Sequence, residues 1–178
     1  MTDKDQYVRA MWAALFKHED GSPFRILNYQ VRIGRALLFD EHKRVIILSP
    51  TRAGKSYIIA MSALIKANSR PNYKIKIVAP TYKQSRIIMG YIFHHMLDTD
   101  IIIANLPISR GEIATLGKQL NQYNVQFKNG SSIEVLSAEG EGSRLMGFGG
   151  DCVICVTART RIQTPRGDRP VTSIRTGD

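Results

Sequence analysis

The stretch Leu48-Ser49-Pro50-Thr51-Arg52-Ala53-Gly54-Lys55-Ser56 is where residue type and spacing could do chemistry. It follows a short β-branched run, Arg44-Val45-Ile46-Ile47-Leu48, and opens a helical pattern over 54–67. A turn between a buried strand and a helix, closing on Gly-Lys-Ser, is the context of a phosphate-binding loop. The loop Ser49-Pro50-Thr51-Arg52-Ala53-Gly54 would wrap anionic oxygens, with the backbone N–H groups of all but Pro50 free to face them, helped by the helix N-terminus. Lys55 would neutralise β- and γ-phosphate charge, and the Ser56 hydroxyl would coordinate Mg²⁺. ATP and Mg²⁺ are thus the expected cofactors. Ser49 stands where the usual frame has its first glycine. The competing reading is an ordinary strand–turn–helix junction.

The chain has two cysteines, Cys152 and Cys155. Two thiols make no disulfide framework and suit a reducing compartment. Their Cys-x-x-Cys spacing invites a zinc or redox reading. A second pair is absent and the motif does not open a helix, so that reading is disfavoured. Histidines 18, 42, 94 and 95 form no ligand pattern; His94 and His95 point to different faces of one helix and read as surface or packing residues.

The elements that must position the loop follow from periodicity. Apolar residues at helical spacing (Val8, Met11, Trp12, Leu15, Phe16) predict a helix over about 5–18, ended by Gly21-Ser22-Pro23. A second helix is predicted over 29–38, with Val31, Ile33, Ala36 and Leu37 inward. After the buried strand 44–48, the helix 54–67 turns Ile58, Ile59, Met61, Leu64 and Ile65 to a core. Strand 74–79 and helix 82–96 repeat the alternation. That alternation implies parallel strands with crossover helices, an α/β layered fold. From 122 the pattern becomes alternating: Tyr123, Val125, Phe127, then Asn129-Gly130, then Ile133, Val135 and Leu136. Asn-Gly between two alternating runs is a hairpin signal. A glycine-rich loop over 140–150 leads to an apolar strand beginning at Asp151.

A length of 178 residues fits one domain with a sizeable core. The hydrophobic fraction of 43% and charged fraction of 22% are those of an ordinary globular chain. The net charge of +10 favours a polyanionic partner, nucleic acid or an anionic membrane surface, over an indifferent basic surface. No apolar run spans a bilayer, and Met1-Thr2-Asp3-Lys4-Asp5 is too polar for a signal peptide.

These motifs together carry a resemblance. From about residue 22 to 154 the chain resembles the N-terminal ATPase domain of the large terminase subunit of tailed bacteriophages. That family often lacks the first loop glycine and carries extra Arg or Ser, as Arg52 and Ser49 do here. Phe24-Arg25-Ile26-Leu27-Asn28-Tyr29-Gln30 resembles its adenine-binding segment, which implies Gln30 as the reader of the adenine edge; a solvated helix turn is the alternative. Val78-Ala79-Pro80-Thr81-Tyr82-Lys83-Gln84 resembles the segment after the second strand. Ser143-Arg144-Leu145-Met146-Gly147-Phe148-Gly149-Gly150-Asp151 resembles the loop before the family's acidic strand, which implies Arg144 as an arginine finger toward the γ-phosphate. Leu145-Met146-Gly147 replaces the family's immediate Arg-Gly pair, and a surface Arg on a loop is the other reading.

The family pattern needs an Asp-Glu pair shortly after Ile154. The sequence changes there instead. Residues 155–178 resemble the first segment of an intein: Cys155 in first place, Thr160, Ile162 and Thr164 alternating, Gly167, Pro170-Val171, Ile174 and Gly177-Asp178. The resemblance implies that the Cys155 thiol attacks the scissile carbonyl of Ile154 and converts an amide to a thioester. The Thr-x-x-His block and the terminal His-Asn of such elements are not in this sequence. A split intein completed in trans and a truncated reading frame both fit.

The expected fold is therefore α/β: an incomplete P-loop NTPase core with a parallel sheet and flanking helices, followed by a short β segment of a Hint-type intein fold. Three parts are expected: an N-terminal helix (1–22), a partial ATPase domain (23–154) and the N-terminal intein segment (155–178). The parent protein would be an ATP-driven motor for double-stranded DNA, with a nuclease in its remaining part, working with a portal and a small terminase subunit in the cytoplasm of an infected bacterial host. A complementary C-terminal fragment would be a partner, and a membrane would not. This polypeptide alone is expected to be inactive, since hydrolysis needs the missing carboxylates. A helicase-like P-loop motor with the same insertion, or a non-catalytic nucleotide-binding fragment, are the alternatives.

Overall fold

The structure, a computed structural model, describes residues 2–18, 20–42, 45–47, 53–107, 124–138, 149–155, 161–164 and 167–170. The element order is α1 (Asp3–Leu15), α2 (Asn28–Phe39), α3 (Lys55–Ser69), β1 (Lys74–Ala79), α4 (Tyr82–Asp98), α5 (Asp100–Ala104), β2 (Asn124–Gln126), β3 (Ser132–Ser137), β4 (Cys152–Cys155), β5 (Arg161–Thr164) and β6 (Gly167–Pro170).

Four strands form one sheet in the order β2-β3-β1-β4. β1 runs parallel to both β3 (Ala79 opposite Ser137) and β4 (Ile77 opposite Ile154, Val78 opposite Cys155). β2 and β3 are the antiparallel hairpin that Asn129-Gly130 announced. Gly130 takes φ +81°, the left-handed conformation its turn requires. The turn has a second use. The Asn129 side-chain amide donates to the Ala67 carbonyl at 2.9 Å, and Ser131 Oγ donates to the same oxygen at 2.7 Å. The hairpin thereby satisfies the last carbonyls of α3, which have no partner within the helix.

α3 is the core helix. Ten of its fifteen residues are buried, from Ile58 through Ala67, so it has no solvated face along that stretch. It packs between α2 and α4 and against β1 and β3. α1 covers α2 and buries Val8, Trp12 and Leu15. Its N-terminus is closed by a reciprocal cap, with Asp5 N donating to Thr2 Oγ1 and Thr2 N to Asp5 Oδ2. The first-turn backbone bonds hold the Asp5 carboxyl below the ordinary range, with Arg35 adding to the effect. Thr81 caps α4, and Ser85 Oγ ties that helix to the Leu136 carbonyl at 2.8 Å.

Lys66 is buried to 2% exposure. Its ammonium donates to the Leu37 carbonyl at 2.7 Å and pairs with Asp40, the left-handed residue that ends α2. Arg70 pairs with the same carboxylate and donates to the Leu38 carbonyl. Both cations lie over the Tyr73 ring, at 5.0 and 5.2 Å. Burial pushes the Asp40 carboxyl up, but Lys66 and Arg70 outweigh it and hold its pKa below the ordinary value.

The helices and strands expected at 29–38, 54–67, 74–79, 82–96 and 151–154 are present within a few residues, and the sheet is mostly parallel. One expectation fails. The run 44–48 reads as a buried strand, yet residues 45–47 form no strand, with Val45 42% and Ile46 72% exposed. β-branched composition favours an extended chain but does not supply a ladder partner. The first helix ends at Leu15, and Phe16 is extended. α5, with Ile102 buried, was not expected, because three consecutive isoleucines carry no helical period. His95 packs edge-on against Phe16 and Tyr57 while His94 is exposed, the division expected of them. Residues 161–170 hold an antiparallel pair, β5–β6, within the short β segment expected of the tail. No helix among the described residues is long and apolar enough to cross a membrane.

Candidate functional site

Gly54 is the N-cap of α3 and holds φ +71°, a conformation open to glycine and costly for other residues. Its carbonyl accepts the first intrahelical bond, from Ile58 N at 3.0 Å. Among the described residues no side chain caps this helix, since its N-cap is a glycine. A helix of fifteen residues therefore begins with its first-turn amides at the positive end of its dipole. Lys55 and Ser56 lie in that first turn and are half-buried.

The N-terminus of α2 lies against this turn. The Tyr29 hydroxyl donates to the Ala53 carbonyl at 2.8 Å. A Cβ placed on Gly54 would stand 3.2 Å from Gln30 Nε2. Gln30 Oε1 accepts from Leu27 N at 2.8 Å, which fixes the side chain so that its amide nitrogen faces Gly54. The structure thus brings together Gln30, Ala53, Gly54, Lys55 and Ser56. Ser49, Pro50, Thr51, Arg52 and Arg144 lie outside the described residues. Sequence reasoning passed over Tyr29; it stands beside Gln30, but no spacing rule foretells a hydroxyl bonding a carbonyl 24 residues on.

Topology orients the turn. α3 ends at Ser69 and the chain enters β1 at Lys74, so helix and strand run in opposite directions. The start of α3 therefore lies toward the C-terminal ends of the parallel strands, where ligands bind in open α/β sheets. β1 and β3 end there level with one another, at Ala79 and Ser137, and Cys155 of β4 stands opposite Val78. Asp151 lies at the other end of β4. It accepts from Lys74 N through Oδ2 at 2.8 Å and donates its own N–H to the Lys74 carbonyl at 2.9 Å.

Of the residues flanking the expected scissile bond, Ile154 is half-buried against the core and Cys155 is an exposed free thiol. Cys152 is half-buried; burial is the main cause that raises its thiol pKa. Among the described residues no group of three or more His, Cys, Asp or Glu is placed to hold a metal ion.

No protein-family model matches the sequence, and no curated protein matches it. Among solved structures, the large terminase of bacteriophage HK97 is similar, with a TM-score of 0.60 and 15% sequence identity. The likeness covers 88% of this chain and 37% of that one, so the present chain spans little more than a third of the HK97 protein. At that identity the likeness is one of fold: a mixed α/β unit with a mostly parallel four-stranded sheet and flanking helices, as in part of a phage large terminase.

Proposed function

We propose that residues 23–154 are the N-terminal part of the ATPase domain of a phage DNA-packaging motor, and that residues 155–178 begin an intein that interrupts it. The observation that carries the first part of the reading is the fold likeness to a phage large terminase over 88% of the chain; the second part rests on the residue pattern of 155–178. The left-handed Gly54 at the start of α3, with Lys55 and Ser56 in the first turn, supports an anion site there.

The residues fit a nucleotide. First-turn amides of α3 and the Lys55 ammonium would face the negative charge of the phosphates, and the Ser56 hydroxyl would hold Mg²⁺. Gln30 Nε2 donates to the base edge, and Arg144 offsets charge on the terminal phosphate. When bound, ATP supplies the phosphoryl group whose transfer drives translocation of double-stranded DNA. The portal and small terminase subunit are the partners of the spliced product, in the cytoplasm of an infected bacterium. Residues 155–178 hold no Asp-Glu pair, so we assign hydrolysis to the spliced product.

At the junction, Cys155 Sγ attacks the Ile154 carbonyl carbon. The S–C bond forms as the C–N bond breaks, and the thiol proton ends on the released amino group of Cys155. A complementary C-terminal intein fragment completes the reaction.

The test is nucleotide-dependent stabilisation. Mg-ATP at a hundredfold its Kd stabilises a protein by about 2.7 kcal/mol, a rise in Tm of about 5–10 °C for a domain of this size. Lys55→Ala abolishes the shift. An unshifted wild-type Tm at millimolar Mg-ATP would overturn the nucleotide reading. ATP turnover by this polypeptide that Lys55→Ala removes would overturn its assignment as catalytically incomplete.

A further inference from the structure

We propose that Tyr73 and Asp151 are positioning residues for the splice junction: they dock β4 on β1, and cleavage after Ile154 proceeds from the undocked strand. The proposal rests on the reading of Ile154–Cys155 as a splice junction.

Both residues of the scissile peptide sit in the ladder, Ile154 opposite Ile77 and Cys155 opposite Val78. In a strand the carbonyls lie near the sheet plane, and side chains stand perpendicular to it on alternating faces. Attack by Cys155 Sγ on the preceding carbonyl carbon closes a small ring through Cys155 N, Cα and Cβ. That closure needs a rotation about the Cys155 N–Cα bond that an extended, ladder-paired residue does not make. Docking therefore holds nucleophile and carbon apart while leaving the thiol itself exposed.

The hold on β4 is small and local. The strand has four residues and is the outermost of its sheet among the described residues, with Val153 51% exposed. Its entry is fixed by the paired bonds between Asp151 and Lys74. The Tyr73 hydroxyl lies 3.4 Å from both the Asp151 carbonyl and Asp40 Oδ2, and its ring lies under Lys66 and Arg70. This contact ties β4 to the ends of α2 and α3. So short a ladder, paired on one side among the described residues, opens by local fluctuation, and removing one entry contact shifts that equilibrium.

The test uses the full chain, its Asp151→Ala, Tyr73→Phe and Cys155→Ala variants, and a C-terminal intein fragment bearing the Thr-x-x-His block and terminal His-Asn, supplied in trans. Amide hydrogen exchange at 153–155 reads docking. Hydroxylamine-induced release of residues 1–154, by mass spectrometry, reads thioester formation. Exchange at 153–155 is slow in the wild type and roughly tenfold faster in Asp151→Ala, with release rising in step; Tyr73→Phe shifts both by a smaller factor. Cys155→Ala gives no release. Faster exchange with unchanged release overturns the proposal and leaves the splice junction standing. Free exchange at 153–155 in the wild type overturns it as well. Absence of release from every variant overturns the splice-junction reading and this proposal with it. Should Asp151→Ala not fold, Tyr73→Phe decides.

Discussion

Gly54→Ala puts a methyl group on a residue at φ +71°, 3.2 Å from Gln30 Nε2. An alanine in the left-handed region costs about 1–2 kcal/mol. Its smaller unfolded-state entropy returns about 0.4–1 kcal/mol. The contact with Gln30 adds a further cost, relieved only if that amide gives way by a few tenths of an ångström. The net expectation is a loss of about 1 kcal/mol, or about 2–4 °C in Tm for a domain of this size. Trp12 is the sole tryptophan and is fully buried, so urea unfolding followed by its fluorescence reads the core that α1 and α2 share. The m-value stays constant if only the native state is strained. Gly54→Ala also weakens the Mg-ATP shift, because both the loop conformation and the Gln30 amide are displaced. Gln30→Ala in the same background recovers the contact share of the loss and none of the backbone share. A variant as stable as wild type, with its nucleotide shift intact, would refute the left-handed turn as the basis of the site.

Two further outcomes follow from contacts around the turn. Tyr29→Phe removes the hydroxyl that bonds the Ala53 carbonyl; with Tyr29 40% exposed, the loss falls near the lower end of about 0.5–1.5 kcal/mol in the same urea assay. Asp40 has a folded-state pKa below its ordinary 3.8, so its pairing with Lys66 and Arg70 stabilises the fold above that pH and is lost as pH falls through the depressed value. The wild type should lose stability below about pH 4 more steeply than Asp40→Asn; parallel pH curves would count against the pairing.

Much of the fold was legible because period and punctuation are local properties. β1 came from Ile75, Ile77 and Val78, and the hairpin from Asn129-Gly130 between alternating runs. Strand order was not legible. That β1 lies between β3 and β4 depends on contacts between residues more than fifty positions apart, which no window along the chain contains. The run 45–47 shows the same limit: its composition is that of a strand, but no described strand pairs with it.

The candidate site divides along the same line. Gly54-Lys55-Ser56 after an apolar run can be read directly as a candidate, since a phosphate loop is built from consecutive residues whose own backbone makes the site. The change of pattern at Cys155 is likewise a local feature of the sequence. The partners are tertiary. Tyr29 and Gln30 reach the turn only because α2 packs on α3, and Lys66 reads as a surface lysine until Asp40 and the Leu37 carbonyl stand beside it. By itself the sequence marks Gly54-Lys55-Ser56 as candidates for phosphate binding and Ile154–Cys155 as the candidate scissile pair. Only the tertiary structure set the second of these in a ladder with β1, because hydrogen bonds between strands are made by residues the chain itself keeps far apart.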